Sequence, residues 1–371
     1  MRSFVRTFSA LAALCASASI ACPPAFAAPN TATIGAIFDI SGSAGAYGAS
    51  QTEGLKLGET YVNKHGRVFL NFDIQDSASQ KTQVVNLFQK YTTNGAAAII
   101  GPTLSSEAFA ADPIAVTAGV PVLGVSNTAN GVTAMGPCVY RDSLTEAAVV
   151  PHVLAEVAKR YKVKKAAIIY GNDDAFTKTD YEVAKKAFDD LHITIVDTET
   201  FAKGDVDFSA QLTKIKAAGP NVIFVGALAE EAAHIISDAH KLQISAKIVG
   251  GNGANSPKVF GLSGGASEGT IVGAAWAIGA ANPGNLDFVR DYRVKYLKDP
   301  DQFAAQAFAG AQIMEAALSG AASASPKDVC VALSRLKHVN TILGDFSFDP
   351  NRDAVGNGVI LVVHNGRFVG F

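Results

Sequence analysis

Charge is what this sequence has least of. Asp, Glu, Lys and Arg make up 17% of its 371 residues, against 49% hydrophobic ones. A chain so poor in charge has ample material for buried cores, which excludes a disordered protein. No block of Lys and Arg interrupts it, and the formal charge is −2 with a pI near 6.4. Neither nucleic acid nor an anionic membrane is therefore indicated as a partner. Its seven histidines are scattered, with no H-E-x-x-H and no paired spacing suited to zinc, so no metal site is expected. The G-x-G-x-x-G fingerprint is absent as well. Gly42-Ser43-Ala44-Gly45-Ala46-Tyr47-Gly48 follows the first predicted strand but has other spacing and no ribose-binding acid about 20 residues on, which removes the case for a dinucleotide cofactor.

Long apolar runs are also missing, apart from one near the start. Arg2 and Arg6 precede the apolar stretch Phe8 to Ala21, and Ala25-Phe26-Ala27 then offers small residues at the positions a signal peptidase reads. Residues 1–28 are expected to be an export signal that is removed, leaving a periplasmic protein. Cys22 after Ser19-Ile20-Ala21 makes a poor lipid-attachment box. Loss of the signal removes Cys15 and Cys22 and leaves Cys138 and Cys330. In an oxidising compartment these two are a disulfide candidate; two separate buried thiols are the other reading.

What is present is a rhythm. The length exceeds the ~250–300 residues at which one core stops growing, so two lobes are expected. Short apolar strands at Thr33–Phe38, Phe69–Ile74, Ala97–Ile100 and Pro121–Val125 alternate with a helical face carrying Val84, Leu87, Phe88 and Tyr91, and with a helix from about Ser106. This order calls for a parallel sheet with helices on both faces. The pattern restarts after Arg141, with strands at Ala166–Tyr170, Ile193–Val196, Val222–Val225, Lys247–Val249 and Thr270–Val272. Helices are predicted at Leu286–Leu297, Phe303–Leu318 and Lys327–Leu336, and His364-Asn365-Gly366 signals a hairpin.

Two chemical readings need testing. Gly261-Leu262-Ser263-Gly264-Gly265 matches the G-x-S-x-G elbow of serine hydrolases. That elbow needs a strand before the serine, and here a short helix at Pro257–Phe260 is predicted instead, so a glycine-rich turn is expected. Glu230, Glu231 and His234 form an exposed helix face, and Asp205 with Asp207 start a helix. The stronger signal is not catalytic. Gly101-Pro102-Thr103-Leu104-Ser105-Ser106 and Ser126-Asn127-Thr128 each end a strand and open a helix. Hydroxyl and amide side chains beside free helix-start N–H groups make an anion cradle, although either segment alone would also serve as ordinary capping.

The ordered set Ser41-Gly42…Ala46-Tyr47-Gly48, Gly101-Pro102-x-x-Ser105, Val120-Pro121-Val122, Ser126-Asn127-Thr128-Ala129 and Tyr140-Arg141 resembles the leucine/isoleucine/valine-binding family of bacterial importers. Asp173-Asp174-Ala175-Phe176, Asp207-Phe208-Ser209 and Ala266-Ser267-Glu268-Gly269 extend the likeness to nearly the whole chain from Thr33. The resemblance implies an α/β fold of two doubly wound Rossmann-like lobes joined by a three-segment hinge, residues 29–144 plus 276–347 against 145–275 plus 348–371. It also implies a monomeric periplasmic solute-binding protein, not an enzyme, that needs no cofactor and delivers a small carboxylate to an ATP-binding-cassette permease. A ligand-sensing domain serving a separate receptor is the alternative.

Carried over residue by residue, the likeness assigns Ser105, Ser126, Asn127 and Thr128 to the ligand carboxylate, and Ser106 is a further ligand-binding candidate from the segment that opens with Gly101-Pro102. Tyr47 would line the pocket, and Glu146 would meet an ammonium. Phe176, Leu228 and Asn252 would close from the second lobe. Three departures stand out: Asn252 replaces a second acid, Phe176 a tyrosine, and Ala227-Leu228 a polar aromatic pair. A ligand ammonium would lose one opposite charge. Two ligand classes stay open, a branched-chain amino acid and an aromatic or other carboxylate without an α-amino group. Trp276 is expected near a crossing between lobes, either reporting closure or packed as a core aromatic.

Overall fold

The computed structural model describes residues 31–371. The predicted export segment, with Cys15 and Cys22, lies outside the described residues. The first block runs β1 (Thr31–Phe38), α1 (Gly45–His65), β2 (Phe69–Asp76), α2 (Lys81–Thr93), β3 (Ala98–Ile100), α3 (Ser105–Ala118), β4 (Val122–Gly124) and β5 (Val139–Arg141). The second runs α4 (Glu146–Tyr161), β6 (Lys165–Gly171), α5 (Ala175–Asp190), β7 (Thr194–Phe201), α6 (Ser209–Ala218), β8 (Val222–Gly226), α7 (Ala229–Lys241), β9 (Lys247–Gly250), α8 (Pro257–Ser263) and β10 (Ile271–Ala274). Then come α9 (Asn285–Tyr296), α10 (Gln302–Ser319), α11 (Pro326–Arg335), the short pair β11 (Val339–Thr341) and β12 (Gly344–Phe346), and the hairpin β13 (Val359–His364) and β14 (Arg367–Gly370).

Each block builds its own sheet. The first has the order β2-β1-β3-β4-β5, all parallel; the second has β14-β13-β10-β9-β8-β6-β7, parallel from β6 to β10. β3 and β4 are buried along their whole length, as their unbroken apolar runs require of strands covered on both faces. Two consecutive strands lie on either side of β1 in the first sheet and of β6 in the second, so each sheet has a switch point at its strands' carboxyl ends. The chain leaves the first sheet after β5, returns after β10 to lay α9, α10 and α11 on the first lobe, and crosses again between β12 and β13. In the hairpin His364 pairs with Arg367, and Asn365 and Gly366 both take positive φ, which a two-residue turn of this hand demands.

The Gly-rich run at residues 42–48 is more than a turn. It opens the 21-residue helix α1, which the sequence reading did not anticipate. Glycine there serves contact: a Cβ on Gly54 would stand 2.0 Å from the Ala304 carbonyl oxygen of α10. Cys138 and Cys330 form a disulfide, Cα–Cα 5.6 Å, that ties the start of β5 to α11.

Candidate binding cleft

The carboxyl ends of the two sheets face each other across a seam. On the first lobe, Leu104 in extended backbone ends the loop after β3, so Ser105 and Ser106 are the first residues of α3 and their amides have no intrahelical acceptor. Ser105 Oγ accepts from the Ala129 amide at 3.3 Å, which staples the loop after β4 to the start of α3. Arg141, itself buried, holds that loop from below by donating to Asn127 O (3.1 Å) and Ala129 O (2.7 Å), and pairs with Asp353 at 2.6 Å. Thr128 is 3% exposed and its hydroxyl has no partner.

A neighbouring acid bears on this anion cradle. Glu107 lies in the first turn of α3, where its Oε2 accepts from the Leu104 amide at 3.3 Å. Burial, reinforced by Asp39, pushes its carboxyl up to about 9. At neutral pH it is uncharged, and the positive end of the α3 dipole is not cancelled.

The expected residues divide by position. Ser105 and Ser126 line a cavity of about 20 Å³ in the seam, with Tyr47, Leu104 and Phe303 from the first lobe. Phe176, Leu228 and Asn252 face them from the second. The Ser126 hydroxyl is already committed, donating to Thr103 O (2.6 Å) and accepting from Gln51 Nε2 (2.8 Å). Asn127 is turned inward, its amide donating to Pro102 O at 3.1 Å, so it shapes the loop without lining either seam cavity. Ser106 is half-buried and lines neither. Gln51, from α1, is a polar member that the sequence reading passed over.

Tyr47 closes the seam. Its hydroxyl donates to Gly253 O at 2.8 Å and accepts from the Ala229 amide at 2.6 Å, both on the second lobe. Burial raises this hydroxyl well above the usual tyrosine range, so it keeps its proton. Phe176 is set by Asp174, which caps α5 by accepting from the Phe176 and Thr177 amides at 2.9 and 3.3 Å. Asn252 Oδ1 accepts from Gln302 Nε2 of α10, a further bond across the seam. The Asn130 amide donates to Thr179 Oγ1 at 3.3 Å, another.

A second cavity of about 10 Å³ lies beside the first and shares Asn252 with it. Thr128, Glu146, Gly251 and Gln306 line it. Asn252 brings no acid to this cavity, but another acid stands close by. Asp180, on α5, lies beside Glu146, and a Cβ on Gly251 would stand 2.1 Å from its Oδ2. Burial raises both carboxyls; Asp180 is raised further by Glu146, while Asp180, Thr128, the Asn252 amide and Arg141 pull Glu146 back down. Close as they are, Thr128 Oγ1, Glu146 Oε1 and both Asp180 oxygens complete no well-formed hydrogen bond. Two buried carboxyls in such contact cannot both ionise at neutral pH.

The rival constellations do not assemble. Ser263 ends α8, and its hydroxyl donates to Val259 O at 2.6 Å, one helical turn back, with no strand before it. Asp207 accepts from the Ser209 amide at 3.0 Å, and Asp205 from the Ala202 amide at 2.9 Å. Among the described residues no group of three or more His, Cys, Asp or Glu could hold a metal ion, and no helix is long and apolar enough to cross a membrane. Trp276 is buried against Phe288, with its indole donating to Asn285 Oδ1 at 2.7 Å.

Comparison with known proteins points the same way. Residues 31–367 match the profile of a family described as periplasmic binding protein. The leucine-, isoleucine-, valine-, threonine- and alanine-binding protein of Pseudomonas aeruginosa is 26% identical over 330 residues, 88% of either chain. The branched-chain amino acid transporter substrate binding protein LivJ of Streptococcus pneumoniae, solved with isoleucine, superposes with a TM-score of 0.85 at 25% identity, covering 91% of this chain and 97% of that one. A solute binding protein from R. palustris, solved with benzoate, shares the fold with a TM-score of 0.82 at 22% identity, covering 92% and 95%.

Proposed function

The chain belongs to the periplasmic binding protein family, and from that premise we propose that it is the solute-binding component of an ATP-binding-cassette importer. Its ligand is a small carboxylate held between the lobes. The observation that carries this reading is the meeting of Ser105, at the open N-terminus of α3, with the Thr128 loop on one side of the seam, opposite the apolar Phe176 and Leu228. The helix end contributes about 0.3–1 kcal/mol to an exposed anion and up to ~2 when partly buried. Each hydrogen bond to a charged group adds roughly 1.5–3 kcal/mol. A few such bonds are enough to hold a desolvated carboxylate.

The seam cavities, about 20 and 10 Å³, each hold about one water. A ligand of amino-acid size therefore enters with the lobes apart, docks by its carboxylate on the first lobe, and is covered as the second lobe turns about the crossing segments. Closure is favoured by the contacts the ligand makes to both sides. The chain works as a monomer, exported with loss of residues 1–28, and hands its ligand to a membrane permease without covalent chemistry. The ligands named for its relatives, branched-chain amino acids and benzoate, bracket the class. A melting screen of the purified protein against small acids tests the reading. A true ligand at 100 times its Kd adds about 2.7 kcal/mol of stability, and Ser105→Ala reduces that gain. A library in which no carboxylate raises the melting temperature sinks the proposal.

A further inference from the structure

Beneath the carboxylate cradle lies a buried cation that lines neither seam cavity. Arg141, at the end of β5, is 2% exposed. Its Nη1 donates to Asn127 O at 3.1 Å and to Ala129 O at 2.7 Å. In a trans peptide unit the N–H points away from the C=O. Drawing two alternate carbonyls down onto one guanidinium therefore turns the Thr128 and Asn130 amides up, toward the seam. The Asn130 amide does reach across it, to Thr179 Oγ1 at 3.3 Å. The Thr128 amide donates to no group among the described residues, which leaves it for a ligand.

What holds the guanidinium comes from a distant part of the chain. Asp353 lies between β12 and β13, in the last crossing between the lobes. A tight turn fixes it there: the Asp353 amide donates to Asp349 Oδ1 at 2.9 Å, and the Asp349 amide to Asp353 O at 2.8 Å. Its Oδ1 accepts from Arg141 Nε at 2.6 Å and from the Thr133 hydroxyl at 3.1 Å. Thr133 belongs to the same loop as Asn127 and Ala129, so one carboxylate oxygen ties Arg141 and the loop together. The neighbouring Arg352 adds bonds to Thr133 O (2.8 Å) and Val139 O (3.2 Å). A guanidinium is a rigid plane, and bonds at both Nε and Nη1 fix its direction as well as its place. We propose that Asp353 is a positioning residue for ligand binding: by fixing Arg141 it keeps the Thr128 amide aimed at the ligand carboxylate, although it lines neither seam cavity itself. This rests on the carboxylate-cleft reading above and extends it to the hinge. The segment that carries the chain back into the second lobe also sets the anion cradle of the first.

The test compares each acid with its own amide, leucine with leucinamide and benzoate with benzamide. All four are titrated calorimetrically into the full-length mature protein and into Asp353→Ala. A hydrogen bond to a carboxylate is roughly twice as strong as one to a neutral carbonyl. In the variant, the acid that the wild-type protein binds should therefore lose about 10-fold or more in affinity, and its amide at most about 3-fold. Asp353→Asn, which keeps an Oδ1 to accept from Arg141 and Thr133, should restore most of the acid preference. Asp353→Ser, too short to reach the guanidinium but polar at this partly exposed position, replaces the alanine variant if that one does not fold, with the same expectation. Acid and amide weakened alike, or neither weakened, overturns the inference and leaves the carboxylate reading standing. So does an asparagine variant no better than alanine. If the wild-type protein prefers neither acid over its amide, both readings fall together.

Discussion

Replacing Tyr47 by Phe should loosen the closed state while leaving the lobes themselves intact. The ring would keep its place against Phe303, 4.6 Å between centroids, so the change is confined to the hydroxyl. That hydroxyl makes two hydrogen bonds across the seam, to Gly253 O and from the Ala229 amide. Ala229 opens α7, so its N–H has no intrahelical acceptor to fall back on. With the lobes apart, water satisfies both groups; with the lobes closed over Phe, neither is satisfied. At a net 0.5–1.5 kcal/mol per bond, closure should lose about 1–3 kcal/mol. Since the apparent Kd scales inversely with the population of the binding-competent state, ligand affinity should fall roughly 5- to 150-fold. Calorimetry with whichever acid the melting screen identifies measures this, and small-angle scattering of the liganded protein should show a larger open fraction at equal ligand concentration. Because the hydroxyl keeps its proton well past the usual tyrosine range, its contribution should not titrate away in mild alkali. A variant with unchanged affinity and an unchanged scattering profile would refute the assignment of these bonds to closure.

Glu107, uncharged until about pH 9, should gain a charge beside the carboxylate cradle above that pH and weaken binding there. Glu107→Gln should bind as the wild-type protein does at pH 7 and lose less affinity at pH 10, by comparative titration. The Cys138–Cys330 bridge spans 192 residues, so the chain-entropy limit for its loss is about 5 kcal/mol. Reduction should lower the denaturation midpoint, while ligand affinity, measured in the same reductant, should change less than twofold. Ser263→Ala should leave binding unchanged, and neither protein should hydrolyse ester substrates.

Much of the cleft was legible because its residues mark strand ends. Gly101-Pro102 and the Ser126 segment stop apolar runs, so their positions at the strand ends of a parallel sheet could be read directly; α3 follows the first, but the helix expected after the second does not form, and the chain runs through a loop and the single turn Thr133–Met135 into β5. The hairpin at Asn365-Gly366 was legible for the same local reason. Helix α1 was not, because its glycines read as punctuation until α10 is placed against them. Inward-turned Asn127 and the half-buried Ser106 look like cradle residues in sequence. The folding back of Asn127 onto Pro102 separates it from Thr128, and its place on α3 takes Ser106 out of the cavity that Ser105 lines. Asp180 was missed because a polar residue within a helix reads as solvent-facing. A signal did exist: it falls on the stripe of Phe176, Val183, Ala184 and Ala187, the buried face of α5. A carboxylate on an apolar stripe has to find a partner, and Glu146 comes from another element that spacing could not place.

The claim on which the account turns is that the ligand is gripped by its negative end, at Ser105 and Thr128. Comparing the Kd of leucine with that of leucinamide, identical except that its carboxylate is an uncharged amide, tests this most directly. Leucine should bind at least about 100-fold tighter, the equivalent of one or two charged hydrogen bonds, and Ser105→Ala should narrow the gap. Leucinamide bound as tightly as leucine would contradict it.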